Sequence, residues 1–299
     1  MTSIRSFLLV VLLAALGGCS SPFAADPTPT TLPATAAPSS TPLPTPTPTL
    51  TPTPTPLGCL SQPGKVESGS LASSKPPQDF LIYLPSCYEH FTDQRYPVLY
   101  LLHGQTYTDQ QWLDMGAAKV ADHLIHSNQV APFIMVFPDD RYWNLPAGPG
   151  FGDRLLTMVV PYVDAHYRTL ADAPHRAVGG LSRGGGWAIH MALTEYSVFG
   201  IVGLHSPVIF DDDSAVLEKL FAAVPSKSWP HIWIDGGDRD GELGNIQRFE
   251  GLLTTDEVPH EWRLYSGDHS ENYWSAHLPE YLRWYAQQFG TADGATATP

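Results

Sequence analysis

From residue 79 onward, short runs of apolar, β-branched and aromatic residues alternate with longer amphipathic stretches. The short runs predict strands over residues 80–84, 98–103, 133–137, 177–181, 201–205, 231–235 and 262–265. Runs such as VLYLLH and FIMVF show no polar alternation, the pattern of strands buried on both faces. The longer stretches predict helices over residues 113–127, 152–167, 185–195, 214–224 and 242–254, and a last one over 271–289. Asp211-Asp212-Asp213 lead into Ser214, where acidic residues favour a helix N-terminus; a calcium site is the weaker reading of the same residues. Strand–helix alternation of this kind builds an α/β fold: a mostly parallel, doubly wound sheet with helices on both faces.

The first 58 residues follow another pattern. Arg5 precedes an unbroken apolar run over residues 7–16, and Leu16-Gly17-Gly18-Cys19 follows. The run is short for a bilayer span and has the basic start and apolar centre of a secretory signal. Its end resembles the bacterial lipobox, which predicts removal of residues 1–18 and a lipid on Cys19; an ordinary cleaved signal is the alternative. Twelve of the 29 prolines fall between Pro22 and Pro56, among Thr, Ser and Ala. Such a stretch cannot bury enough apolar surface to offset chain entropy, so residues 19–58 predict a disordered Pro/Thr-rich linker. Its alternating prolines, residues 41–56, favour an extended spacer. The head is then residues 59–299, held outside the cell on a lipid anchor.

Composition narrows the partners. A net charge of −14 argues against nucleic acid, whose phosphates demand a basic face. Three cysteines are an awkward number for an exported chain. A lipid on Cys19 leaves Cys59 and Cys87, and a bridge closing those 28 positions would contribute roughly 3–4 kcal/mol.

Three loops of the predicted sheet carry chemistry. Gly180-Leu181-Ser182-Arg183-Gly184 is a G-x-S-x-G sequence between a predicted strand, RAVGGL, and a predicted helix, WAIHMALTE. A tight strand-to-helix turn needs small neighbours, lifts the hydroxyl above the sheet, and sets a helix N-terminus where negative charge develops in acyl transfer. A plain glycine-rich turn is the bland alternative; the flanking strand and helix argue against it. A serine needs a base, and the base an orienting acid; in a fold of this kind they follow the serine in the order acid, then histidine. The loop 236–241 offers Asp238 and Asp240, and Asp268-His269-Ser270 precedes the last helix. Both loops leave carboxyl ends of strands, where doubly wound sheets build their sites.

These segments, YLLHG at 100–104, GGLSRGG at 179–185, GDRD at 237–240 and GDHSENYWSAHLPEYLRWYA at 267–286, resemble the putative esterase family. That family of α/β-hydrolases includes esterase D, feruloyl esterases, enterochelin esterases and mycolyltransferases. The resemblance runs from about residue 80 to 289 and implies an α/β-hydrolase fold and a serine carboxylesterase. It implies Ser182 as nucleophile and His269 as base. The family's acid loop reads G-x-x-D, which points to Asp240, with Asp238 open as the rival; Asp268 is expected to be structural. The oxyanion hole would take the backbone N–H of Arg183, the residue after the nucleophile, and by resemblance that of Gln105. His103 is expected to be a packed structural histidine.

Of the aromatics Tyr107, Trp112, Tyr142, Trp143, Trp187 and Trp274, the pair Tyr142 and Trp143 best suits a substrate rim, whereas Trp112, Trp187 and Trp274 suit packing. No Walker loop, dinucleotide fingerprint or metal-ligand spacing occurs, so no cofactor is implied. The expected substrate is a small-molecule or glycan-linked ester, met outside the cell. Transfer of the acyl group to another hydroxyl, as in mycolyltransferases, and a non-catalytic carbohydrate-binding lipoprotein remain as alternatives. The acyl and alcohol parts are not written in the motifs.

Overall fold

Eight strands form one sheet in the computed structural model, which describes residues 58–73, 77–140 and 150–292. The expected signal, Cys19, the linker to residue 57 and the rim pair Tyr142 and Trp143 lie outside the described residues. In chain order the strands are β1 Lys65–Leu71, β2 Gln78–Leu84, β3 Val98–Leu102, β4 Ile134–Pro138, β5 Arg176–Ser182, β6 Ile201–Pro207, β7 His231–Gly237 and β8 His260–Tyr265. Their order across the sheet is β1-β2-β4-β3-β5-β6-β7-β8. The β1–β2 and β2–β4 pairs are antiparallel and all the others parallel. The apolar runs read as two-face burial, VLYLL of β3 and IMVFP of β4, are buried at every position. By contrast β1, KVESGSL, was not predicted. It is an edge strand on which only Leu71 is fully buried, so it carries no apolar run.

The helices are α1 Gln111–Asp114, α2 Ala117–His126, α3 Phe151–Arg154, α4 Val160–His166, α5 Arg183–Thr194, α6 Asp211–Ser214, α7 Leu217–Ala223, α8 Leu243–Thr255 and α9 Glu271–Ala292. Two expected single helices are broken. The helix predicted over 113–127 divides at Gly116, whose φ of +97° belongs to the left-handed region. The helix predicted over 214–224 becomes α6 and α7, separated at Val216. The three acidic residues stand in the first turn of α6, and the buried Asp213 carboxylate accepts from His190 Nδ1 at 3.0 Å. Between α3 and α4 a π-helical turn, Leu155–Val159, comes just before Pro161, which has no N–H for an α-helical bond.

Side chains alternate across the sheet with a period of two, so each face has its own core. Val98, Tyr100 and Leu102 pack with Trp187, Ile189 and Phe249 on one face. Leu99 and Leu101 pack with Trp112, Leu124, Tyr281 and Tyr285 on the other. A disulfide joins Cys59 and Cys87, with their Cα atoms 5.1 Å apart, as the cysteine count led us to expect. Because β3 and β5 through β8 are parallel, the loops after them all leave one edge of the sheet. That edge gathers the motifs.

Candidate active site

Strand β5 ends at Ser182 and α5 begins at the next residue, so the turn has no spare length. Ser182 is held at φ +52° and ψ −119°, a strained backbone for a residue with a side chain. The neighbouring glycines make this possible: a side chain on Gly180 would collide with the Gly184 backbone, and one on Gly184 with the Leu102 carbonyl. The hydroxyl is thereby lifted off the sheet toward the loop after β8.

There Ser182 Oγ lies 2.8 Å from His269 Nε2, and His269 Nδ1 lies 3.0 Å from each carboxylate oxygen of Asp240. Since a carboxylate only accepts, Nδ1 carries the proton and Nε2 accepts from the serine hydroxyl. The Asp240 carboxylate also accepts the Glu242 N–H at 2.7 Å. Burial alone would raise the Asp240 pKa, but the hydrogen bonds from His269 and Glu242 outweigh it and hold the carboxyl below its ordinary value. His269 keeps 29% of its side chain exposed while Asp240 keeps none, so the dyad is buried at the acid and open at the base.

Of the two carboxylates left open by the sequence, the one facing the histidine is Asp240. Asp238 accepts the Gly267 N–H at 2.9 Å and contacts Arg239, tying the acid loop to the histidine loop. Asp268 accepts from the Ser270 hydroxyl at 2.5 Å, whereas both Nδ1 bonds of His269 go to Asp240.

A scan of family models matches residues 73–285 to the family described as putative esterase. The chain belongs to the putative esterase family. Among curated relatives, an endo-1,4-beta-xylanase/feruloyl esterase of Xylanibacter ruminicola is 32% identical over 187 residues, covering 57% of this chain and 24% of that protein. An esterase of Mycobacterium tuberculosis is 31% identical over 240 residues, covering 63% of this chain and 51% of its own length. The chain thus spans about a quarter and about half of the curated relatives it matches. A solved ferulic acid esterase superposes with a TM-score of 0.68 at 27% identity, over 76% of this chain and all of that one. The S-formylglutathione hydrolase of Staphylococcus aureus gives 0.63 at 20% identity, over 77% of this chain and all of that one, a likeness of fold. The fold is that of the α/β-hydrolases.

In this esterase-family chain a cleft of about 400 Å³ opens beside Ser182 and His269, lined in part by Gln105, Tyr107, Gln111, Glu271, Asn272 and Trp274. Arg183 turns its guanidinium away from the cleft, donating from Nε to the buried Asp140 at 2.8 Å, so only its backbone N–H remains near Ser182. Among the described residues no hydrogen bond occupies the Gln105 N–H. That group shares a peptide plane with the Gly104 carbonyl, which accepts from His103 Nδ1 at 2.8 Å, while His103 Nε2 accepts the Asp140 N–H at 2.8 Å. His103 is therefore a packed histidine, buried and bonded at both nitrogens. Trp112 and Trp187 donate to the Leu102 carbonyl and to Asp140 and are buried, as expected of packing residues. Trp274 is buried too, but its ring meets His269 edge-on at 5.0 Å between centroids, so it also walls the site. Among the described residues no group of three His, Cys, Asp or Glu side chains is arranged to hold a metal ion.

The sheet also holds a buried polar cluster that no sequence motif marks. His205 on β6 and Asp235 on β7 sit in register and form a second, fully buried histidine–carboxylate pair, with Nδ1 2.7 Å from Oδ2. Asp235 also accepts from Trp233 Nε1, Tyr273 OH and Tyr281 OH, each at 2.8 Å. Burial, reinforced by Asp235, pushes the Tyr273 and Tyr281 hydroxyls well above the ordinary tyrosine range, so both stay protonated and donate. His205 Nε2 meets the Tyr285 hydroxyl at 3.0 Å. The available signal was an acidic residue ending the apolar run HIWID, with no solvent-facing position to account for it.

Proposed function

We propose that the protein is a serine carboxylesterase that works through an acyl-enzyme on Ser182. The observation that carries this reading is the continuous chain from Ser182 Oγ through His269 to the buried Asp240, set on a strained turn at the mouth of a cleft. Ser182 Oγ attacks the ester carbonyl carbon as its proton passes to His269 Nε2. Asp240 holds the imidazole in the required tautomer and stabilises the cation that forms. The oxyanion takes hydrogen bonds from the Arg183 and Gln105 N–H groups, a donor of this kind being worth roughly 3–4 kcal/mol. Collapse breaks the bond to the alcohol, which leaves with the proton from Nε2. Water then attacks the acyl carbon, His269 accepts its proton, and Ser182 Oγ regains that proton as the acid departs.

The esters best supported carry an aromatic, feruloyl-type acyl group: the relative of 32% identity is named an endo-1,4-beta-xylanase/feruloyl esterase and the structure of 27% identity a ferulic acid esterase. Ser182→Ala should lower hydrolysis of p-nitrophenyl and methyl ferulate esters by about 10⁴-fold or more while the far-ultraviolet dichroism stays unchanged. Undiminished turnover by that variant would sink the reading.

A further inference from the structure

Gln111 is buried at the start of α1, and both ends of its side-chain amide are engaged. Its Oε1 accepts the Gly104 N–H at 2.8 Å, and its Nε2 donates to Glu271 Oε1 at 3.2 Å. Gly104 precedes Gln105, whose N–H is the proposed oxyanion donor. Glu271 is the first residue of α9 and stands two positions after His269. One side chain thus bridges the loop after β3 and the start of α9, Gln111 and Glu271 standing 160 positions apart in sequence.

We propose that Gln111 is a positioning residue, holding the oxyanion donor of Gln105 and the base His269 in a single frame; this rests on the serine-esterase reading above. The chemistry demands an amide at this position. One end must accept from a backbone N–H while the other donates to a carboxylate, and a side-chain amide presents both functions in one fixed plane at every pH, which neither a carboxylate nor an ammonium does. The Gly104–Gln105 peptide is already clamped at its carbonyl by His103, and Gln111 fixes the peptide plane before it. Together the two bonds leave the Gln105 N–H one orientation. Displacements of about 1 Å in such a group cost on the order of 10²-fold in rate.

The bridge can be reversed, which gives the test. Q111E keeps an acceptor for Gly104 but sets a second carboxylate against Glu271. In Q111E/E271Q the new amide at 271 donates to the new carboxylate at 111, restoring the link with its polarity inverted. Steady-state hydrolysis of p-nitrophenyl acetate, per active site, should show kcat lowered about 10- to 100-fold in Q111E with KM within about threefold. E271Q, which keeps an acceptor for Nε2, should lose less than about fivefold, and the double variant should regain at least about tenfold over Q111E. A double variant no faster than Q111E, or a Q111E kcat equal to wild type, overturns the proposal. If Q111E does not fold, Gln111→Met, of similar volume, takes its place: a lowered kcat supports the bridge and an unchanged kcat rejects it. No turnover by the wild-type protein on any ester would reject the esterase reading and the role of Gln111 with it. Turnover with flat variants would reject only the role of Gln111.

Discussion

Two of the histidine–carboxylate pairs among the described residues, His205–Asp235 and His269–Asp240, bond the same kinds of atoms in very different surroundings. In both, the imidazole Nδ1 faces a carboxylate within 3.0 Å and Nε2 faces a hydroxyl, of Ser182 in one and Tyr285 in the other. The pair His205–Asp235 is sealed: neither side chain is exposed, and Asp235 accepts four hydrogen bonds. The pair His269–Asp240 has its base open to a cleft, its serine on a strained turn, and backbone donors nearby. A sealed pair has no route for substrate or water and can only hold structure together. Pair chemistry is therefore not the mark of a catalytic site; its exposure and its hydroxyl partner are.

The largest expected effect separates the two pairs by function. Asp240→Asn should lower kcat/KM by about 10³–10⁴-fold, because the amide favours the wrong imidazole tautomer, with a smaller loss of melting temperature than Asp235→Asn causes. Steady-state kinetics and a thermal melt on one sample check both halves. Asp235→Asn should do the reverse. It leaves donors facing an amide that cannot accept from all of them, at a cost of about 3–5 kcal/mol in stability, while kcat of the folded fraction stays within about tenfold. Urea unfolding with active-site titration reads this directly. Equal losses of kcat in the two variants, with folding intact, would erase the distinction.

How far the sequence foretold this follows from what burial writes into it. Strands covered on both faces need apolar residues at every position, so β3, β4 and β6 were legible as runs. The edge strand β1 has one fully buried residue and left no such run. The turn at Ser182 was legible because close backbone approach demands glycine at fixed offsets. The choice between Asp238 and Asp240 rested on the family's G-x-x-D loop, which favoured Asp240, since both lie in one short loop and only its backbone path decides which faces His269. The Asp235 cluster and the Gln111 bridge each depend on hydrogen bonds between residues 30 to 160 positions apart, and bonds at that range leave no local pattern.

The smallest effect sharpens the contrast in electrostatics near the cleft. Burial, and then repulsion from Asp139, push the Asp109 carboxyl up to about 6. A carboxyl raised in the folded state binds its proton more tightly there, so stability falls as pH rises from about 4 to about 6 and is level above that. Asp240, held below its ordinary value, has the opposite sign: its contribution is present above about 4 and is lost as pH falls through its folded pKa. Asp109→Asn should accordingly raise the melting temperature at pH 7.5 by about 1–3 °C, solvent screening keeping the gain small, and leave it unchanged near pH 3.5. A gain equal at both pH values would contradict the assignment.

If the site works as proposed, Ser182 carries the activated hydroxyl. Incubating the intact protein with a fluorophosphonate and mapping the adduct by mass spectrometry tests it most directly. One adduct is expected, on Ser182, formed in step with the loss of esterase activity and absent from Ser182→Ala. An adduct on another serine, or activity that survives complete modification of Ser182, would contradict it.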